Sequence, residues 1–206
     1  MIEPQREAGE RPCLTIVEGG DASNAARAEE AVADLLIALG RDVTSERLID
    51  TPRRVAASLL ELLSPRAFAM TTFPNEEGYE ELVLVRDIPF HSLCEHHLLP
   101  FRGVAHVGYV PGERLVGLSK LARVVELFSH DLQVQERLTK QIASHLDEQL
   151  APRAVGVVLE AEHLCMTLRG AQAAGAMTTT SAFTGVLAEN AALRQRFHRA
   201  TGDLSA

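Results

Sequence analysis

The chain contains no apolar run of about 18 residues or more, so no membrane-spanning helix is expected. Its N-terminus lacks a basic stretch followed by an apolar one, so a secretory signal is not expected either, and the cytoplasm is the expected compartment. Basic residues are in deficit. Twenty Lys and Arg against 28 Asp and Glu leave a formal net charge of −8, which argues against the broad basic surface that nonspecific nucleic-acid binding requires. An anionic small substrate would have to be met by local clusters of cations. Cysteine is scarce: three residues do not make a disulfide framework, and two of them, Cys94 and Cys165, stand near histidines, which suits metal ligation in a reducing compartment. Cys13 lies in a polar tail and is given no role. Internal repeats and low-complexity segments are also missing.

What is present is a globular composition. Hydrophobic residues make up 46% of the 206 positions, enough for one cored domain with a helical extension. Residues 1–22, rich in Glu, Arg, Pro and Gly, read as a disordered tail. Residues 23–66 read as a helical extension and 67–206 as the main domain. In the extension, Ala28, Val32, Leu35, Leu36 and Leu39 form one helical stripe closed by Gly40. Thr51 and Pro52 open a second helix whose expected inner face is Val55, Leu59, Leu62 and Leu63. Residues 68–80 read as a loop, 82–85 as a short strand, and 104–110 as a strand turned by Pro111-Gly112 into a hairpin with 114–116. Ser119 is the expected cap of a helix carrying Leu121, Val124, Val125 and Phe128, and a further helix carries Val134, Leu138, Ile142, Leu146 and Leu150. Strands follow at 155–166 and 176–183, then a terminal helix at 187–198. This order predicts an α+β fold, an antiparallel sheet with helices packed on one face.

The chemistry concentrates in Ser92-Leu93-Cys94-Glu95-His96-His97 and in His163-Leu164-Cys165. Cys94 and His97, three apart, share a side on a helical turn but not on a strand, so a turn leaving a strand is expected there. His163 and Cys165, two apart, share one face of an extended run. Cys94, His97 and Cys165 make three zinc ligands with a fourth position open to water, leaving His96 and His163 to move protons; a closed structural site that adds His163 as fourth ligand is the alternative. Buried unreactive thiols explain either cysteine singly, but not the four residues together. Lys120 and Arg123 share a face in the first turn of their helix, where an anion is welcome, and Arg53 and Arg54 stand at a similar place; solvated basic faces are the plain alternative for both pairs. His106 reads as a packing histidine.

The chain resembles GTP cyclohydrolase I from about Ala25 onward. The resemblance rests on Thr51-Pro52-Arg53-Arg54-Val55-Ala56, the Cys94 to His97 motif, Gly117-Leu118-Ser119-Lys120 with Gln133-Val134-Gln135-Glu136-Arg137-Leu138, and Glu162-His163-Leu164-Cys165-Met166 with Arg169-Gly170. It implies the tunnelling fold (T-fold) for the catalytic domain 67–206, a homodecamer of two pentamers with active sites at subunit interfaces, and conversion of GTP and water to 7,8-dihydroneopterin triphosphate and formate, the entry to tetrahydrofolate and other pterins. It also implies zinc on Cys94, His97 and Cys165, His163 as the acid at N7, His96 as a second proton-transfer group, and Ser119 near the ribose. Glu136, with Gln135 beside it, is implied at the guanine, and Lys120, Arg123, Arg169 and Arg54 at the triphosphate. Two departures stand out: Ala171-Gln172-Ala173-Ala174 carries no further basic residue, and Asp131-Leu132 replaces a common Arg-Pro. A copy of the fold dedicated to a pterin or deazapurine natural product, and a noncatalytic zinc-stabilised nucleotide-binding scaffold, are the competing functions.

Overall fold

The structure, a computed structural model, describes residues 22–202. Cys13 and all but the last residue of the tail expected at 1–22 lie outside the described residues. The chain divides into two compact units, residues 1–60 and 61–206.

The first unit contains helix α1 (Ala22–Ala38) and most of helix α2 (Thr51–Leu62). Gly40 ends α1 at φ 73°, its N–H donating to the Ile37 carbonyl while Arg41 N–H reaches Leu36; only a residue without Cβ adopts that conformation cheaply. On α2 the buried pair is Pro52 and Ala56, four apart, whereas Val55, expected inside, is exposed. At 100° per residue, a buried line through Pro52 and Ala56 turns Val55 away.

The second unit is built on a five-stranded sheet in the order β5-β2-β3-β6-β7, from β2 (Val83–Cys94), β3 (Pro100–Val110), β5 (Leu132–Gln133), β6 (Ala154–His163) and β7 (Thr178–Phe183). All its pairings are antiparallel except the short β2–β5 edge. Strand β2 is longer than expected, because a bulge between Val85 and Ile88, with Asp87 at φ 56°, lets it continue through Pro89. The hairpin expected between 104–110 and 114–116 does not form. Strand β4 (Arg114–Val116) pairs instead with β1 (Thr72–Pro74), inside the segment read as a loop. Arg114 fastens that pairing by donating to Thr72 Oγ1 at 2.8 Å and to the Thr72 carbonyl at 3.1 Å.

Helices α3 (Leu118–Ser129) and α4 (Gln135–Leu150) pack on one face of the sheet. Leu121, Val124 and Val125 from α3 and Leu138, Ile142 and Leu146 from α4 meet Val155, Val157, Leu159 and Ala161 from β6 in the main core. The cap of α3 is Gly117, with no side-chain bond, and the expected cap Ser119 is an exposed residue inside the first turn. Strand β6 is apolar on both sides: Ala154 and Val158 face a second cluster with Leu187 and Phe197, from α6 (Gly185–Glu189) and α7 (Ala191–Thr201). A strand covered on both faces reads as a continuous apolar run, as 154–159 does. The single terminal helix expected at 187–198 is broken at Asn190, whose side chain accepts from Ala192 and Leu193 N–H and caps α7. Among the described residues no helix is long and apolar enough to cross a membrane.

Leu146 is fully buried in the main core. Leu146→Ala is expected to cost about 2–5 kcal/mol, measured by reversible denaturant unfolding.

Candidate metal and nucleotide site

The site stands at the end of the sheet where β2 stops, β3 starts, β6 stops and α4 starts. Register sets this meeting: Ser92 pairs with Phe101, Phe101 pairs with His163, and Cys94 pairs with Gln133. Cys94 is the last residue of β2. Its N–H donates to Leu99, and its carbonyl accepts from His97 and Leu98, with Leu98 in the left-handed region at φ 55°. The chain therefore leaves the strand in a helical turn, which puts the Cys94 sulfur 3.7 Å from His97 Nδ1. That is the expected turn.

The expectation for the second pair fails in detail. Strand β6 ends at His163, and Leu164–Thr167 forms the helical turn α5, so His163 and Cys165 do not share one extended face. The break sends the two side chains to different partners: Cys165 to Cys94 and His97, and His163 to Gln135. The donor atoms of Cys94, His97 and Cys165 all lie within 4.8 Å of one another. Ligands on a tetrahedral zinc, at about 2.3 Å for sulfur and 2.0–2.1 Å for nitrogen, sit roughly 3.5–3.8 Å apart, so the three fit one ion. Burial, and next the adjacent Cys94 sulfur, raise the Cys165 thiol above its ordinary pKa, while Arg169 acts the other way. A thiol whose ionisation is held back by burial and a neighbouring sulfur is a donor that a cation would stabilise as thiolate. The group can hold a metal, and His163 is outside it.

His96 and His97 stand nearly perpendicular, ring centres 6.3 Å apart, with His96 Nε2 3.6 Å from Glu95 Oε1. His163 stacks on Phe101, centroids 4.6 Å apart and planes within 4°. Its Nε2 lies 2.7 Å from Oε1 of Gln135, a residue only 1% exposed. Burial lowers the His163 pKa, opposed by the nearby carboxylate of Glu136. Glu136 itself is exposed at the start of α4. Gln135, by contrast, points inward.

The expected cations are placed unevenly. Arg169 is exposed and close enough to Cys165 to act on it electrostatically. Arg123 donates to Glu126 at 2.9 Å, and Glu126 also holds Arg66. Lys120 Nζ sits over the Phe68 ring at 5.9 Å, and Ser119 is exposed beside it. Arg54 belongs to the first unit, where it pairs with Asp50 at 2.9 Å. His106 is buried, its Nδ1 accepting from Asp87 N–H, and burial lowers its pKa, as suits a packing residue.

Sequence reasoning gave no role to Arg137, Glu95 or Phe101. Arg137 donates to Glu95 Oε2 at 2.6 Å, the Leu132 carbonyl at 2.7 Å and Gln133 Oε1 at 3.0 Å. The four-residue spacing of Gln133 and Arg137 was a usable sign; the approach of Glu95 from 42 residues away was not. The Asp131-Leu132 departure is locally consistent, since Asp131 Oδ1 accepts from Leu132 N–H at 2.7 Å, a donor that a proline would lack.

An α+β domain with a three-donor metal group at the end of its sheet defines the class. A family model for GTP cyclohydrolase I matches residues 28–202. A GTP cyclohydrolase 1 from Corynebacterium glutamicum is 53% identical over 175 residues, covering 82% of this chain and 88% of the relative. One from Mycolicibacterium gilvum is 56% identical over 167 residues, covering 78% and 82%. One from Mycobacterium tuberculosis H37Rv is 52% identical over 175 residues, covering 82% and 86%. The chain belongs to the GTP cyclohydrolase I family of enzymes.

Replacing Arg137 by Ala frees Glu95 beside the Cys94–His97 turn and is expected to lower the affinity for added zinc, measured by competition with a chromophoric chelator. Cys165→Ala should lower metal content to background by elemental analysis; full occupancy in that variant would remove Cys165 from the donor set.

Proposed function

We propose that this enzyme opens the imidazole ring of GTP with water, releasing formate and yielding 7,8-dihydroneopterin triphosphate, with zinc held by Cys94, His97 and Cys165. The observation that carries this reading is the meeting of those three donors with His163 and Glu136 at one end of the sheet. When bound, zinc supplies a Lewis acid that brings water into the range where hydroxide is available near neutral pH.

The chain's own residues do the rest. Glu136 accepts the N1 and N2 hydrogens of guanine, which lie side by side as a carboxylate requires for a bidentate pair. With the base so held, His163 delivers a proton to N7 as water adds at C8. Burial favours its neutral form and the Glu136 carboxylate its charged one, so the same imidazole can both release and regain the proton. His96 handles a second proton at ring nitrogen or ribose, and Ser119 stands by the ribose, where ring opening and rearrangement follow. Lys120, Arg123 and Arg169 take the triphosphate; Arg123 exchanges Glu126 for phosphate.

His96, His97, Glu136 and Arg169 are exposed on the single chain. The family resemblance is what supports a homo-oligomer, a decamer of two pentamers, in which neighbouring subunits would cover them. The product is the entry to tetrahydrofolate and other pterins, and the cytoplasm is the proposed compartment. The position of His163 outside the metal group weighs against a closed four-ligand scaffold.

Zinc-loaded protein incubated with GTP should release formate and give a fluorescent pterin after oxidation; no formate overturns the reading. His163→Ala should keep its zinc and lose about 100-fold or more in kcat, the range of general acid catalysis. With Glu136→Ala the expected defect is a raised KM for GTP at unchanged metal content.

A further inference from the structure

Gln135 precedes the proposed base-recognition carboxylate in sequence, yet its side chain is committed inside the protein. The carboxamide nitrogen donates to the Leu159 carbonyl at 3.1 Å and to the Thr178 carbonyl at 2.9 Å, so both of its hydrogens are used. Its oxygen lies 2.7 Å from His163 Nε2. The opposite amide orientation would set that oxygen against two carbonyl oxygens with no hydrogen between them, in a place only 1% exposed where water cannot compensate. The oxygen is therefore the group that faces His163, and it can only accept.

We propose that Gln135 is a positioning residue that fixes the tautomer of His163: Nε2 carries the hydrogen and donates to Gln135, and Nδ1 is the nitrogen that exchanges a proton with substrate. Phe101 fixes the ring plane by stacking, and the amide fixes rotation within that plane. The Nε2 bond is the one hydrogen bond the His163 side chain makes among the described residues, which leaves Nδ1 for N7 of the purine. Base recognition then falls to Glu136 without its neighbour. The substrate part of this inference rests on the GTP reading; the tautomer part does not.

The test has two arms, both on zinc-loaded full-length protein. In the first, nitrogen-15 histidine spectra are taken at alkaline pH, with His163→Ala assigning the signal. A protonated Nε2 and a bare Nδ1 are expected, and a protonated Nδ1 overturns the proposal. In the second, Gln135→Met keeps the side-chain volume and removes the acceptor. It should mix the two tautomers and lower kcat about tenfold or more, within the range that proton transfer contributes, with KM for GTP held within about twofold. A raised KM at unchanged kcat makes Gln135 a base contact and overturns the proposal, as do unchanged kcat and tautomer. Thr180→Val removes the neighbouring 2.6 Å bond between Thr139 and Thr180, which also joins α4 to β7, and should leave the His163 spectrum alone. If Gln135→Met fails to fold, the wild-type spectrum still decides. If the wild-type protein does not turn over GTP, the function falls while the spectrum still judges the tautomer.

Discussion

One guanidinium, that of Arg137, ties together the three pieces of chain on which the site depends. It binds the Leu132 carbonyl and the Gln133 side chain at the sheet edge, reaches Glu95 inside the histidine turn, and belongs to the first turn of α4. Because Arg137 is partly exposed, the ion pair itself is worth little to stability. Its value is geometric. A planar group with several donors, carried on α4, holds acceptors on two other segments in one arrangement, which a single-point contact such as Lys cannot do.

Around that clamp the labour is divided by burial. The three donors that could hold a metal sit at a strand end and on the turns beside it, where backbone bends bring sulfur and imidazole to one point. The histidine proposed for proton transfer stands at a strand end, stacked on an aromatic ring and bonded to a buried amide. A buried amide whose hydrogens are both spent on carbonyls has one orientation, so the nitrogen it faces has one role. An exposed amide, exchanging with water, would enforce nothing.

The surrounding charge follows the same economy. In a chain with net charge −8 the cations proposed for the triphosphate are local, on α3 and after α5. Arg123 is already held by Glu126, whose carboxyl lies below the usual range chiefly through its bond to Arg66. Such prior pairing orders the guanidinium, so less side-chain entropy would be lost were the proposed phosphate to take its place.

Much of this was legible in the linear order of residues. The helices of the core follow from 3.6-residue periodicity, and the turn at Cys94 to His97 follows from the spacing of its donors, because local geometry answers to local sequence. The pairing of β4 with β1, the run of β2 past its bulge and the end of β6 at His163 were misread, since strand partners and strand ends are chosen by residues distant in the chain. The site divides in the same way. Donor types and their spacing are written in the chain itself. That Gln135 turns inward to His163 while Glu136 turns outward was decided only by packing, since adjacent residues on a helix differ by 100° and nothing but the placement of the sheet says which of the two faces it.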